Sequence, residues 1–325
     1  MLSRIRQVFA AGFDQLQSSQ RRAFAAMGRN FERQLLLSGQ IAARQVRQME
    51  RIDTLADVEF RVSSQWGEDG IIEWLCHKLP GIPRSFVEFG VENFTEANTR
   101  FLLQSRGWRG LVIDGSSDHM AHLRNEQLYW MHDLVAVSAF VTAENIDALI
   151  RDNGFAGELG ILSVDIDGND YWVLKAIQSV RPAILICEIN GVLGDRHAIT
   201  VPYDPAFERL KAHHSGQYFG ASLAAIMRLA AEKSYTFVGT NSNGVNAFFV
   251  RNDLSGPVLE SIARIKSWPA RHRDSRSAEG TLTFTRGTAK AELIRKLPVV
   301  DVATGRTHAI EELMPLYSPE WEREI

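Results

Sequence analysis

The order of apolar runs in this chain predicts an α/β fold: a mostly parallel seven-stranded sheet with an antiparallel hairpin at one edge, behind a long amphipathic helix. Three observations carry that reading. From Arg61 onward, short apolar runs alternate with helix-period patterns, the signature of a parallel sheet. Two late runs, Tyr235 to Val238 and Val245 to Val250, are joined only by Gly239-Thr240-Asn241-Ser242-Asn243-Gly244. That link is too short for a parallel crossover and suits an antiparallel pair. Before all of them, apolar residues step by threes and fours to about Arg51 without a proline.

Taken in order, the first element is the helix. Leu2, Ile5, Phe9, Phe13, Leu16, Phe24, Met27, Phe31 and Leu35 make one stripe, a candidate coiled-coil seam. The spacing suits packing on the rest of the chain or on a second copy in a homo-oligomer. From Met1 to Leu55, Arg residues 4, 6, 21, 22, 29, 33, 44, 47 and 51 face only Asp14, Glu32, Glu50 and Asp53. A basic amphipathic helix lying on an anionic membrane surface, or beside a membrane-bound assembly complex, is therefore the alternative.

Strands are expected near Ser85 to Glu88, Gly110 to Ile113, Leu134 to Val137, Gly160 to Val164 and Ala183 to Cys187. Helices fall near Thr95 to Arg106, Ser117 to Gln127, Ala143 to Asn153 and Tyr171 to Ser179, and another near Ala221 to Lys233 precedes the edge hairpin. Beyond Asp253 the pattern weakens. Arg271, Arg273 and Arg276 sit in a polar stretch, and Leu297 to Ile325, with three prolines, reads as a small appended element or a tail strapped onto the domain. The division is 1–58 helical, 59–253 the α/β domain and 254–325 a C-terminal appendage.

Composition narrows the function classes. A net charge of -3 on 325 residues gives no concentrated basic surface for nucleic acid. Two cysteines, Cys76 and Cys187, lie in apolar runs, so a reduced, cytoplasmic setting is expected, with a peripheral position at the inner face of the membrane as its variant. The N-terminus lacks the continuous apolar stretch of a signal peptide, and no window has the length of a membrane span.

Two strand ends carry the cofactor chemistry. Phe86-Val87-Glu88-Phe89-Gly90 opens into a turn, and Leu111-Val112-Ile113 closes on Asp114. In a βαβ unit the first turn lets a ligand approach the backbone, while a carboxylate after the second strand accepts from a ribose diol. Val91, Glu92, Asn93, Phe94 and Thr95 follow Gly90, so the later glycines of G-x-G-x-x-G are missing and a pyrophosphate is poorly served. Capping of the next helix is the structural alternative for Glu88 and Asp114.

The sharpest cluster is Asp165-Ile166-Asp167-Gly168-Asn169-Asp170, directly after an apolar strand. Its glycine stands fourth, so the loop is not an EF-hand. Strand alternation places Asp165 and Asp167 on one side, with Glu188 and Asn190 emerging from the neighbouring strand. Asp165 or Asp167 is a candidate general base. Together, Asp165, Asp167, Glu188 and Asn190 form a candidate oxygen-ligand set for Mg2+ or another divalent cation. The remaining alternative makes Asp167 to Asp170 a turn and helix cap. His197, Tyr203, Asp204, His213 and His214 fall in a long irregular stretch between Gly191 and Gly220, positioned to act as a lid. Of these, His213 is the catalytic candidate.

Four motifs, in this order and spacing, carry a family resemblance: Ser64-Gln65-Trp66-Gly67-Glu68-Asp69-Gly70, Phe86 to Gly90, Gly107-Trp108-Arg109-Gly110-Leu111-Val112-Ile113-Asp114 and Leu162-Ser163-Val164-Asp165-Ile166-Asp167-Gly168. From about Ser63 to Arg251 the chain resembles the FkbM-like branch of S-adenosylmethionine-dependent methyltransferases, whose sheet is the Rossmann-like class I methyltransferase sheet. The resemblance implies S-adenosylmethionine as cofactor. Glu88 and Gly90 match the turn at the methionine part, Asp114 the ribose acid, and Gly115 with Ser116 the turn beside it. Glu92 and Asn93 stand where the family has small residues, and Asn93 is placed to hydrogen-bond the amino-acid end. The activity implied is O-methylation of a carbohydrate hydroxyl in polysaccharide or glycolipid biosynthesis. Two rivals are a degenerate binding or scaffold module and a nicotinamide (NAD)-dependent sugar oxidoreductase.

Overall fold

In the computed structural model, residues 2–325 are described; within the first helix, side chains are described at positions 17, 19, 20, 24, 27, 28 and from 30 onward. The strands in chain order are β1 (Ser85–Phe89), β2 (Arg109–Asp114), β3 (Leu134–Ser138), β4 (Gly157–Val164), β5 (Val180–Glu188) and β6 (Ile199–Thr200). They continue as β7 (Tyr235–Thr240), β8 (Asn246–Arg251), β9 (Pro298–Asp301) and β10 (Thr307–Ala309). Seven form one sheet in the order β3-β2-β1-β4-β5-β8-β7. The first five pair in parallel, and β8 runs antiparallel to both β5 and β7. This is the seven-stranded Rossmann-like sheet with an antiparallel edge. Its central strands read as continuous apolar runs because both faces are covered; one core packs on each face.

The helices are α1 (Leu2–Arg47), α2 (Glu68–Lys78), α3 (Arg100–Arg106), α4 (Ser117–Asn125), α5 (Gln127–Met131), α6 (Ile146–Asp152), α7 (Asp170–Ala176), α8 (Arg209–Ala212) and α9 (Leu223–Glu232). The helix expected from Thr95 starts only at Arg100. The Glu88 carboxylate accepts from the backbone N–H groups of Asn98 (2.8 Å) and Thr99 (3.0 Å), holding the preceding residues in turns. Ser117 to Gln127 is broken at Glu126, whose extended backbone separates α4 from α5. Helix α2 has no counterpart in the sequence reading. It starts at Gly67, in the left-handed region at φ 102°, and carries Glu68 and Asp69 in its first turn, where acids favour a helix N-terminus. Asp69 Oδ2 gathers the N–H groups of Val62, Ser63 and Ser64 at 2.7 to 2.9 Å, folding the loop back onto the helix.

Helix α1 ends at Arg47, four residues short of expectation. Its last turns bury Ala43 and Val46, and Arg47 Nη2 lies 2.8 Å from Glu73 Oε2 on α2. Arg106 approaches the other oxygen at 3.5 Å. Because Glu73 is fully buried, loss of these guanidinium partners leaves an unpaired buried charge, which is strongly destabilising. Nearer the N-terminus, Phe24, Met27 and Phe31 of the stripe are 65 to 69 % exposed, while the side chains of Leu2, Ile5, Phe9, Phe13 and Leu16 lie outside the described residues. Among the described residues, no helix is long and apolar enough to cross a membrane.

After β5 the chain folds into β6 and α8, and β6 joins β9 and β10 in a three-stranded antiparallel sheet. Val299, Ile310, Leu316, Tyr317 and Trp321 are buried in the same apolar cluster as Leu162 and Leu185. The Tyr317 hydroxyl donates to the Val192 carbonyl at 2.8 Å, and Leu316 O accepts from the N–H groups of Asp195 and Arg196. These bonds strap the last residues over the stretch that follows β5, holding it at the carboxyl ends of the strands, where ligands bind in open α/β sheets.

Candidate active site

The turn after β1 and the end of β2 face each other. Gly90 is at φ +78°, and a Cβ there would lie 1.5 Å from the Asp165 carbonyl oxygen, so only glycine lets the turn pack against the end of β4. Glu92 follows at φ 49° and donates its N–H to Asp114 Oδ2 at 2.8 Å, while the Ser116 N–H donates to Oδ1 at 2.8 Å. Asp114 thus ties both turns together, and an ionised carboxylate with two donors keeps acceptor capacity for a further pair. Ser116 is the N-cap of α4, accepting from the His119 N–H, so its side chain serves the helix. Asn93 Oδ1 accepts from the Thr95 N–H, closing the turn locally.

Beyond β4 the acids converge. One carboxylate oxygen from each of Asp165, Asp167 and Glu188 lies within 4.8 Å of the others. Burial first, then the charges of Asp167 and Asp170, push the Asp165 carboxyl well above the usual range. Burial, then Asp165 and Asp167, do the same to Glu188. Both carboxyls therefore hold a proton more readily than an ordinary acid. Asp170 serves the backbone instead. Fully buried, it accepts from the N–H groups of Ile166 (2.8 Å) and Gly168 (3.0 Å) and caps the loop, with burial raising its pKa to about 6. Asp167 is at φ 56° and turns away from that cap toward Arg209.

Arg209, on α8, anchors the opposite wall. Its Nη1 bonds Asp167, its Nη2 lies 2.9 Å from Asp274 Oδ2, and its Nε donates to the Gly216 carbonyl at 2.6 Å. The guanidinium sits 3.8 Å from the centre of the Phe219 ring. With every edge of the planar group held, its orientation is fixed. Gln217 Nε2 in turn holds Asp274 Oδ1 at 3.1 Å.

Two cavities adjoin at this wall. The larger, about 640 Å3, runs past Gly90, Asp114, Gly115, Phe140 and Val141 to Asp165, Arg209 and Asp274. The smaller, about 240 Å3, is lined by Gln65, Glu88, Asn98, Glu188 and Asn246. Gly90, Glu92, Asp165, Asp167 and Arg209 border both.

The structure therefore brings together Glu88, Gly90, Glu92, Asp114, Gly115, Asp165, Asp167 and Glu188, and leaves Asn93 and Ser116 at the margin. Asn190 is not available as a metal ligand. Its Nδ2 donates to the carbonyls of Gln217 and Phe219, and its Oδ1 accepts from the Val192 N–H, so the amide closes the loop after β5. His213 is off the site as well: Nδ1 lies 2.7 Å from Ser215 Oγ, the ring packs on His214, and neither cavity touches it. His197, Tyr203, Asp204 and His214 line neither cavity; from the stretch after β5 it is Phe207 to Leu210 and Gly216 that overhang the larger one. Arg209, Asp274 and Asn246 escaped the sequence reading. A contact across 65 residues leaves no spacing signal, but the Ser64 to Gly70 motif held a clue, since buried Glu68 bonds Asn246 directly.

No known family profile matches the chain, and no curated protein does. Among solved structures it is similar to the O-methyltransferase from Bacillus cereus in complex with SAH, at 18% identity and TM-score 0.38, over 65% of this chain and 91% of that one. It is also similar to the N-terminal domain of EvdMO1 with SAH bound, at 11% identity and TM-score 0.37, over 64% and 93%. A third likeness, to the pyocyanin biosynthetic protein PhzM, has 11% identity and TM-score 0.34; the match covers 55% of this chain and 53% of PhzM. The strand order itself, with five parallel strands and an antiparallel edge pair, gives this chain the fold of the class I methyltransferases.

Proposed function

We propose that the protein is an S-adenosylmethionine-dependent O-methyltransferase whose acceptor is a carbohydrate hydroxyl, in polysaccharide or glycolipid biosynthesis. The observation that carries the reading is the convergence of the Asp165, Asp167 and Glu188 carboxylates on the wall behind the Asp114 cavity. The cofactor fits the larger cavity: Asp114 offers spare acceptor capacity to a diol, Phe140 and Val141 supply an apolar slot beside it, and the Gly90 turn brings backbone close. When bound, that cofactor supplies an electrophilic methyl group on sulfur. Asp165 borders both cavities, so its carboxylate would take the hydroxyl proton while the acceptor oxygen bonds the methyl carbon and the carbon–sulfur bond breaks, the sulfur leaving as a neutral thioether. A base whose pKa is raised accepts that proton more readily than an ordinary aspartate. Arg209 fixes Asp167 and the cavity wall, so orientation rather than covalent help supplies the rate.

A divalent cation is supported by one further observation: Asp165, Asp167 and Glu188 offer three carboxylate oxygens within mutual reach, and Glu188 Oε2 is buried without a hydrogen-bond partner among the described residues. Such an ion would be held by these three and would lower the pKa of the acceptor hydroxyl. Isothermal titration with S-adenosylhomocysteine, with and without magnesium and beside NAD, tests the reading. Saturable binding of the homocysteine ligand alone is expected; binding of NAD alone moves the case to the oxidoreductase, and binding of neither to a scaffold role.

A further inference from the structure

The floor of the smaller cavity carries two oxygens without a hydrogen-bond partner among the described residues. Glu188 ends β5, and Asn246 begins β8 directly opposite it in the antiparallel register. Both are more than nine-tenths buried, and Glu188 Oε2 and Asn246 Oδ1 have no hydrogen-bond partner among the described residues. The orientation of the Asn246 amide is fixed by its neighbour. Glu68 Oε1 accepts from Asn246 Nδ2 at 2.9 Å and from Asn241 Nδ2 at 2.7 Å, and a buried carboxylate of this kind can only face the NH2 end of an amide. The oxygen end is therefore the one left free. Two buried oxygens without hydrogen-bond partners among the described residues carry a desolvation cost that a ligand's hydroxyls, which can both donate and accept, would remove.

We propose that Asn246 and Glu188 form the recognition point for the acceptor, taking hydroxyl hydrogens from an uncharged polyol and turning away its phosphorylated or carboxylated counterparts. The inference rests on the methyltransferase reading for the word acceptor, but the donor requirement follows from the floor itself. Charge sharpens the class. Glu88, Glu92, Glu96, Asp165, Asp167 and Glu188 border this cavity, and among the described residues Arg209, already held by Asp167 and Asp274, is its one cationic lining residue. An anionic group placed there would either meet like charge or force further protonation of these acids, a cost that suppresses the wrong partner.

The test is ligand-observed saturation-transfer NMR on the full chain. The probes are the methyl glycosides of glucose, galactose, mannose and rhamnose, with glucuronate and glucose 6-phosphate as anionic counterparts. At least one neutral glycoside should bind saturably, the anionic probes should not, and Asn246→Ala and Glu188→Gln should each weaken the glycoside roughly tenfold. The second variant keeps the shape of the floor if the first disturbs Glu68. Glycoside binding indifferent to both substitutions, preferential binding of the anions, or no neutral glycoside bound at all would overturn the proposal. So would displacement of the glycoside by S-adenosylhomocysteine, because the floor would then serve the amino-acid end of the cofactor. Glycoside binding without any affinity for S-adenosylhomocysteine would leave the donor-recognition floor standing and remove the cofactor reading alone.

Discussion

Arg209 Nη2 lies 2.9 Å from Asp274 Oδ2, a contact between residues 65 apart that ties the stretch after β5 to the C-terminal segment at the cavity wall. Asp274→Asn keeps the shape and removes the charge. Asp274 is 43% exposed, so the stability change should stay within about 1 kcal/mol after allowing for solvent screening. Because both residues border the larger cavity, S-adenosylhomocysteine affinity should nevertheless fall several-fold. Equal affinity in the two proteins would show that this ion pair does not shape the cavity.

Asp114→Ala should weaken the same ligand by about 1 to 3 kcal/mol, the scale of hydrogen bonds to a charged group. It also strips the acceptor from the N–H groups of Glu92 and Ser116, so some of that loss will be loosening of the two turns. Asp114→Asn, which retains one acceptor oxygen, should lie between. Titration calorimetry of the three proteins checks the order, and an unchanged alanine variant would take the ribose role from Asp114.

Glu188→Gln should raise the melting temperature at neutral pH. Burial and the nearby Asp165 and Asp167 raise the Glu188 pKa in the folded protein, so its contribution to stability is whole below the unfolded value and is lost as pH rises through the folded one. Glutamine has no such loss. The gain should therefore be small near pH 4 and grow toward neutrality, as read by thermal unfolding across pH. Asp69 and Asp170, each raised by burial to about 6, also lose stability with rising pH, but they do so in both proteins. A pH-independent difference would contradict the coupling.

Gly90→Ala should cost several kcal/mol, because left-handed strain adds to a collision with the Asp165 backbone that no rotamer can relieve. Soluble yield and melting temperature report it, and a variant as stable as the parent would mean the turn can move away from β4.

Much of this was legible in the chain. All seven strands of the main sheet lie where alternation and turn chemistry place them, and Glu88, Asp114, Asp165 and Glu188 stand at their carboxyl ends. What escaped depends on contacts between distant segments. The helix expected from Thr95 yields to Glu88, which claims the N–H groups that its first turn would have used. Asn190 has the right chemistry for a ligand, but its amide is consumed by a loop the sequence does not predict. Asn246 reads as an ordinary strand residue until Glu68, 178 positions earlier, fixes which end of its amide is free. Helix α2 begins with Gly67 and two buried acids, a start that composition disguises as a loop.

The contact between Gly90 and the Asp165 carbonyl has one more consequence. The turn against which a nucleoside would rest and the acid that would handle the proton form one mechanical part, with no side chain between them to absorb a shift. A ligand that moves the turn moves the acid with it, and whatever change it makes in proton affinity is matched, by reciprocity, by an equal effect of protonation on how tightly that ligand is held. Ligand affinity and acidity would then be coupled through one backbone contact, seen from two sides of the same glycine.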